Sequence, residues 1–284
     1  MANLKTKRRR SKKATSFDGA KINYEVSLPT KNKDLCIVFV HGLGGDLTAW
    51  DAERDFFHSE GVPSIAIDLR GHGFSDRSED KDFYKMINFS KDIVEVMKKE
   101  GFQKYTIVGH CFGGMVSMIL EANYPKTAKN LILVDTGYKP PLLIDPIRKN
   151  PFLIWMLEIL VKSLPNFKLD GHADFNKYIN TPDFDLRRLA SDILHVSIRS
   201  YLLISENLFG YDATKLLDKI TIPTLVVEGK KDTVFPPEIA KKLNERIKKS
   251  EIDYIDGANH ILVISNPLDL SREFERFLIK HKFI

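Results

Sequence analysis

Residues 105–115 read YTIVGHCFGGM, and this stretch decides the fold. Its short apolar run predicts a buried strand, and the apolar residues after Cys111 predict the start of a helix. Gly109 and Gly113, two residues before and after Cys111, predict a tight turn in which neighbouring backbones approach closely. Such a turn presents Cys111 in a cleft at the amino end of a helix, where free amides and the helix dipole favour an anion. We therefore predict that Cys111 is a nucleophile.

Similar apolar runs alternate with amphipathic segments along most of the chain. The predicted strands are Ile22–Val26, Leu35–Val40, Ser64–Asp68, Tyr105–Val108, Asn130–Val134, Thr224–Glu228 and Glu251–Ile255. The predicted helices are Leu47–Ser59, Phe83–Glu100, Phe112–Tyr124, Pro237–Lys248 and Leu268–Lys280. Runs that are apolar at nearly every position, such as CIVFV and LILV, are typical of strands buried on both faces of a mostly parallel sheet. The alternation predicts a doubly wound α/β fold with its site at the carboxyl ends of the strands.

Residues 137–217 break this alternation, because they contain several helical patterns and no convincing strand. We interpret them as a helical cap over the site, inserted between core segments 14–136 and 218–284. Apolar side chains expected to pack the cap or to line an apolar substrate pocket are Phe152, Ile154, Trp155, Met156, Leu157, Leu160, Tyr201, Leu202, Leu203 and Phe209.

Four further motifs follow predicted strands. They are His41-Gly42-Leu43-Gly44-Gly45 after CIVFV, residues 68–75 (DLRGHGFS) after the next strand, Gly229-Lys230-Lys231-Asp232 at the end of TLVVEG, and Gly257-Ala258-Asn259-His260 after the last strand. Together with the turn at Cys111, these motifs resemble the α/β-hydrolase family in identity and order over about residues 15–284. The resemblance implies a mostly parallel eight-stranded sheet with an inserted helical cap.

The resemblance also implies a catalytic triad of Cys111, Asp232 and His260, in the chain order that the fold requires. Asp135, which ends the strand LILV, is a rival for the acid, but the intact Gly-x-x-Asp spacing favours Asp232. Most proteins that the chain resembles have serine in place of Cys111, and a minority, typified by dienelactone hydrolase, have cysteine. A cysteine that replaces the serine of a serine hydrolase therefore remains an alternative.

By the same resemblance, the backbone amides of Leu43 and Phe112 form an oxyanion hole. Cys36 lies in a buried strand and is interpreted as structural. Other polar residues near the site are interpreted as shaping its loops: His41, Gly42, Asp68, His72 and His110.

The expected activity is hydrolysis of a small to medium carboxylic ester with an apolar part, through an acyl-cysteine intermediate. A thioester intermediate is more easily captured by amines or thiols than an oxygen ester, so an acyltransferase or thioesterase is an alternative. A slow-turnover ligand-binding sensor and a carbon–carbon bond hydrolase stay open as well. No motif has the spacing of metal ligands or of a phosphate-binding loop, so no cofactor is implied.

The net charge of +5 is concentrated at the start of the 284-residue chain. Residues 1–13 contain seven lysines and arginines and no acid, and we predict that they form a disordered basic tail. The remainder is slightly acidic, so no nucleic-acid partner is expected. With only two cysteines, no signal peptide and no run of about 18 apolar residues, the sequence favours a cytoplasmic protein without a transmembrane segment. The oligomeric state stays open.

Overall fold

The computed structural model describes residues 9–30, 34–141, 145–163 and 167–284, and its centre is an eight-stranded sheet. The strands are β1 Arg9–Thr15, β2 Lys21–Ser27, β3 Leu35–Val40, β4 Ser64–Ile67, β5 Lys104–His110, β6 Asn130–Val134, β7 Thr224–Gly229 and β8 Ser250–Ile255. Their order across the sheet is β1-β2-β4-β3-β5-β6-β7-β8. Strands β3 to β8 run parallel, and β2 is antiparallel to both β1 and β4. The predicted fold class is confirmed.

Helices connect the strands and cover both faces of the sheet. They are α1 Asp51–Ser59, α2 Met86–Glu100, α3 Phe112–Asn123, α4 Asp145–Arg148, α5 Pro151–Ser163, α6 Leu186–Val196, α7 Ile198–Leu208, α8 Pro237–Arg246, α9 Leu262–Ser265 and α10 Pro267–Lys280. The predicted core helices agree with these bounds within a few residues. Within the described ranges, no helix is long and apolar enough to cross a membrane.

Alternate residues of the central strands pack into two separate cores. In β3, Cys36, Val38 and Val40 belong to one core, which includes residues of α2, α3 and α8. Ile37 and Phe39 belong to the other, which includes residues of α1 and α10. Successive side chains of a strand point to opposite faces, so a run that is apolar at every position fits only between two layers of helices.

The start of the chain differs from its prediction. Residues 9–13 were expected in a disordered tail, yet Arg9–Thr15 form the edge strand β1 and pair in antiparallel register with β2. Charged side chains are tolerated on an edge strand, where they face solvent. Acids that are distant in sequence also pair with them, because Lys12 lies 2.8 Å from Glu100 and Arg9 2.6 Å from Asp55. The prediction is therefore wrong for residues 9–13, and residues 1–8 lie outside the described part.

Helices α4 to α7 and a short helical turn, Phe175–Tyr178, lie between β6 and β7, where the sequence predicts the cap. In the described parts of 137–217 no strand interrupts them. The apolar residues of the cap do not all pack against the protein or line a pocket, as the sequence predicts. Phe152, Trp155, Met156 and Leu160 on α5 are exposed, whereas Leu203 on α7 is buried. The side chain of Leu157 lies outside the described residues.

Candidate active site

Cys111 occupies a strained turn between β5 and α3. Its backbone angles are φ 50° and ψ −115°, a region that costs a non-glycine residue of order 1–3 kcal/mol. The turn is held because the Cys111 amide donates to the carbonyl of Val134 at 3.0 Å, and Thr136 Oγ1 donates to the Cys111 carbonyl at 2.6 Å. The thiol is partly accessible, whereas that of Cys36 is buried.

The glycines on either side of Cys111 are required by close backbone approach. A Cβ atom built on Gly113 would lie 2.3 Å from the carbonyl oxygen of Val40, and one on Gly109 would lie 2.5 Å from the carbonyl oxygen of Gly113. The end of β3 therefore lies so close to the start of α3 that no side chain fits at Gly113. These distances support the steric reason given for the Gly-x-Cys-x-Gly spacing.

Three side chains that are far apart in sequence meet at this turn. His260 Nδ1 lies 2.7 Å from Asp232 Oδ2, and His260 lines the same cavity as Cys111. Since Nδ1 is engaged by Asp232, Nε2 is the ring nitrogen that faces the thiol. Burial lowers the pKa of His260, but Cys111 and Asp232 outweigh it and raise that pKa well above its usual value. The raised pKa makes the His260 ring a stronger acceptor for the proton of a neighbouring group.

The loop after β3 places a free amide beside Cys111. Leu43 lines the same cavity as Cys111, and within the described residues its amide donates no hydrogen bond. Phe112 is the first residue of α3, so its amide has no intrahelical acceptor. The two amides predicted as an oxyanion hole are therefore both unpaired by the backbone.

The histidines interpreted as structural bond to backbone groups. His41 Nδ1 faces the carbonyl of Gly42 at 2.8 Å, and Nε2 accepts from the Leu69 amide at 3.0 Å. His110 Nε2 lies 2.9 Å from the carbonyl oxygen of His260. Burial lowers the pKa of His41, and burial together with His260 lowers the pKa of His110 to about 3. Both rings are thus neutral and support the interpretation of loop shaping.

The carboxylate of Asp68 also anchors loops, as interpreted. It accepts hydrogen bonds from the amides of Leu47 and Phe74 and from the side chain of Asn23. His172, in the cap, adds a contact of 2.8 Å. Burial lowers the pKa of His172, but Asp68 outweighs it and raises that pKa. An ion pair thus ties the cap to the core.

Two buried acids lie behind Asp232. Asp135, the rival acid, accepts from the Gly229 amide at 2.8 Å through Oδ1, while no described residue donates to its Oδ2. Glu228 is fully buried, and no described residue forms a hydrogen bond with either oxygen of its carboxyl group. Burial and the neighbouring carboxylates raise the pKa of Asp135 well above its usual value and that of Glu228 to about 11. Of these three acids, Asp232 is the one whose contact with the His260 ring is a hydrogen bond.

Some of these side chains are close enough to share a metal ion. Among the described residues the groups are His110, Asp135 and His260; Asp46, Asp68 and His172; and Asp135, Glu228 and Asp232. Hydrogen bonds within the protein already engage Asp68 and His260, and the raised pKa values of Asp135 and Glu228 favour their neutral forms. Neutral carboxyl groups are poor metal ligands, so we assign no metal role to them.

The cap supplies one wall of the cavity, and the sequence did not predict the residues of this wall. The cavity beside Cys111 has a volume of about 60 Å³, and its lining includes Phe175, Arg188 and Asp192 of the cap. None of these belongs to the apolar set that was expected to form the pocket. They lie on a helix and a turn whose facing cannot be read from the sequence, so no signal singled them out.

Another cap residue, Asp183, reaches the histidine loop. Its Oδ1 accepts from the His260 amide at 2.9 Å, and its Oδ2 accepts from the Thr233 amide at 2.9 Å and from Thr233 Oγ1 at 2.6 Å. One cap carboxylate thus fixes the loops that carry both His260 and Asp232.

Comparisons with known proteins agree with this architecture. A family model described as the alpha/beta hydrolase fold matches residues 36–267. Lipase 3 of Moraxella sp. is 27% identical over 85% of this chain and 76% of its own length. Protein ABHD8 of Bos taurus is 22% identical over 87% of this chain, which spans only 56% of that protein. The structure of a thermophilic esterase from Thermogutta terrifontis superposes with a TM-score of 0.70 at 21% identity, over 96% of this chain and 99% of that one.

Proposed function

The chain belongs to the α/β-hydrolase fold family, and from that premise we propose that it hydrolyses carboxylic esters of small molecules with Cys111 as the nucleophile. The observation that carries the proposal is the 2.7 Å contact between His260 Nδ1 and Asp232 Oδ2, with the same imidazole lining one cavity with Cys111. The names of the lipase and esterase relatives support the reaction class, and the small cavity favours a short acyl group.

Acylation begins when His260 takes the proton of Cys111. Asp232 holds the ring by its Nδ1–H, so that Nε2 receives this proton. Sγ attacks the ester carbonyl carbon and forms a carbon–sulfur bond, while an electron pair moves onto the carbonyl oxygen. The amides of Leu43 and Phe112 stabilise that oxyanion. As the intermediate collapses, the carbon–oxygen bond breaks and the alcohol leaves with the proton from His260.

Deacylation repeats these steps with water. His260 takes a proton from water, and the hydroxide attacks the thioester carbonyl within the same oxyanion hole. The carbon–sulfur bond then breaks, Cys111 regains its proton from His260, and the carboxylic acid is released. No atom beyond those of ester and water is required.

The test is intact-protein mass spectrometry after mixing with p-nitrophenyl esters of increasing chain length. We expect an acyl mass on the native protein and none on Cys111→Ala, with p-nitrophenol released only by the former. Cys36→Ala is the matched control, because Cys36 lies in the core and should leave the adduct unchanged. Release by Cys111→Ser, without adduct or release from the native protein, would contradict the cysteine mechanism and leave a silenced serine hydrolase.

Acyl transfer is the second candidate, and the cysteine itself favours it, because a thioester is captured by amines and thiols more readily than an oxygen ester. Adding a thiol or amine acceptor should then raise the rate at which the acyl mass disappears. Disappearance at the same rate with and without acceptor would leave hydrolysis as the reaction.

A further inference from the structure

A largely buried guanidinium faces the cavity that holds Cys111 and His260. Arg188 lies in the first turn of α6, where Asp185 caps the helix and accepts from the Arg188 amide at 2.9 Å. Its side chain is only 15% exposed and lines the cavity. Burying a positive charge is unfavourable unless anions and hydrogen-bond acceptors compensate for the lost water. The groups around Arg188 therefore show how far the protein compensates this charge.

The protein itself satisfies Arg188 only in part. Nη2 donates to the carbonyl of Asp183, and Nη1 lies 3.3 Å from Asp192 Oδ2, longer than the roughly 2.7–2.9 Å of a charge-assisted hydrogen bond. Nε is buried, and no described residue accepts a hydrogen bond from it. A guanidinium has five N–H donors in a planar fork, so it retains capacity for a carboxylate.

Asp192 is an incomplete counter-ion for this arginine. It packs against the loop after β3, since a Cβ built on Gly44 would lie 2.7 Å from the Cβ of Asp192. Burial raises the pKa of Asp192 to about 7, with Asp46 adding to the effect and Arg188 opposing it. Near neutral pH a substantial fraction of molecules therefore hold a neutral Asp192 beside a charged Arg188.

One side of the cavity adjoins a surface groove. Ala49, Phe175, Val263 and Ile264 line both this cavity and a surface groove of about 460 Å³, whose lining does not include Arg188 or Cys111. The groove offers the alcohol a way out, and Arg188 then faces the acyl part that stays on the cysteine.

We propose that Arg188 binds a carboxylate at the far end of the acyl group, so that the preferred substrates are half-esters of short dicarboxylic acids. This inference rests on the proposed function, because it names the substrate class of the same cavity. The ester end reacts at Cys111, and the carboxylate keeps its charge throughout. Leu43 and Ile261, which line the cavity but not the groove, supply apolar contacts for the methylene groups between the two ends.

The experiment compares matched esters with and without the terminal carboxylate. Monomethyl succinate, glutarate and adipate are paired with methyl butyrate, pentanoate and hexanoate, and turnover is followed by acid release at constant pH. The measured quantity is the ratio of kcat/KM between the members of each pair. The variants are Arg188→Met and Arg188→Lys, with Arg187→Met as the matched control, since the Arg187 side chain is 83% exposed on the same helix.

For at least one pair, the wild-type ratio should favour the half-ester by about 10- to 100-fold, the range of a charged hydrogen bond. Arg188→Met should reduce the ratio by the same factor, mainly through KM. Arg188→Lys, which keeps the charge but not the fork, should give an intermediate ratio, and it also serves if the methionine variant does not fold. Arg187→Met should equal the wild type. A wild-type ratio near one for every pair, or an unchanged ratio in the folded Arg188 variants, would overturn the inference.

A binding measurement separates this inference from the proposed function. If the wild type hydrolyses neither ester of any pair, the proposed function fails, and thermal unfolding with added adipate or hexanoate decides the inference alone. Adipate should then raise Tm more than hexanoate in the wild type and keep only part of that advantage in Arg188→Lys. Equal shifts for the two acids in the wild type would overturn it.

Discussion

Replacing Glu228 by glutamine should stabilise the folded protein, by an amount that grows with pH. Glu228 is fully buried in β7, and burial with Asp135 and Asp232 raises its pKa to about 11, so the folded protein holds it neutral at pH 7. The unfolded chain lets it ionise above its usual value of 4.5. Each pH unit above that value favours unfolding by about 1.4 kcal/mol, so about 3 kcal/mol of stability is missing at pH 7. Glutamine does not ionise and removes this penalty.

The sign of this pH dependence follows from the linkage between protonation of Glu228 and folding. A carboxyl group whose pKa is raised by folding leaves stability intact below its unfolded pKa and lowers it as pH rises. Glutamine matches the shape of the neutral carboxyl group, although an amide N–H that finds no acceptor would cost about 1–3 kcal/mol. That cost does not depend on pH. The slope of the stability difference against pH is therefore a cleaner quantity than its value at one pH.

Urea unfolding, followed by circular dichroism at pH 5.5, 6.5 and 7.5, measures this slope. The free energy of unfolding of Glu228→Gln minus that of the wild type should rise by about 1.4 kcal/mol per pH unit. Glu245→Gln is the matched control, because this carboxylate is exposed to water in the folded state as well. A flat difference for Glu228→Gln would refute the reasoning, since it would mean that Glu228 is ionised in the folded protein.

Two further substitutions probe the turn and the cap. Gly113→Ala places a Cβ 2.3 Å from the carbonyl oxygen of Val40. We therefore expect the free energy of unfolding, measured with urea, to fall by about 1–3 kcal/mol and ester turnover to fall about 100-fold. Wild-type values of both quantities would show that the backbone moves to make room for the methyl group. The preference for half-esters should fall between pH 6 and 8, because burial and Asp46 raise the pKa of Asp192 to about 7 and the ionised carboxylate then competes for Arg188. In Asp192→Asn that preference should not vary with pH, and a persisting decline would assign the titration to another group.

Much of the core could be predicted because its signals are local. Residues that directly follow parallel strands meet at one edge of the sheet, so Cys111 after β5 and His260 after β8 converge although 149 positions separate them. A run that is apolar at every position fits only a strand covered on both faces. The contact of 2.7 Å between His260 and Asp232 agrees with what the order of motifs implied.

The missed features depend on contacts that leave no local pattern. The basic residues of β1 read as a solvated arm, and only partners such as Glu100, distant in sequence, stabilise them as an edge strand. Arg188 and Asp192 lie one turn apart on α6, and the sequence of an amphipathic helix does not say whether its polar side meets water or a cavity. Glu228 is the exception, because a charged residue inside the run TLVVEG could have been recognised as a buried acid.

Asp183 limits how the cap of this protein can be exchanged. Its carboxylate accepts hydrogen bonds from the backbone amides of Thr233 and His260, so the cap contributes to the rigidity of the loops that carry Asp232 and His260. A chimera that receives a foreign cap to change substrate range would leave these amides without their acceptor. Such a graft should begin after residue 183 or restore an acid in its place, and libraries that vary α6 alone are the safer route to new specificity.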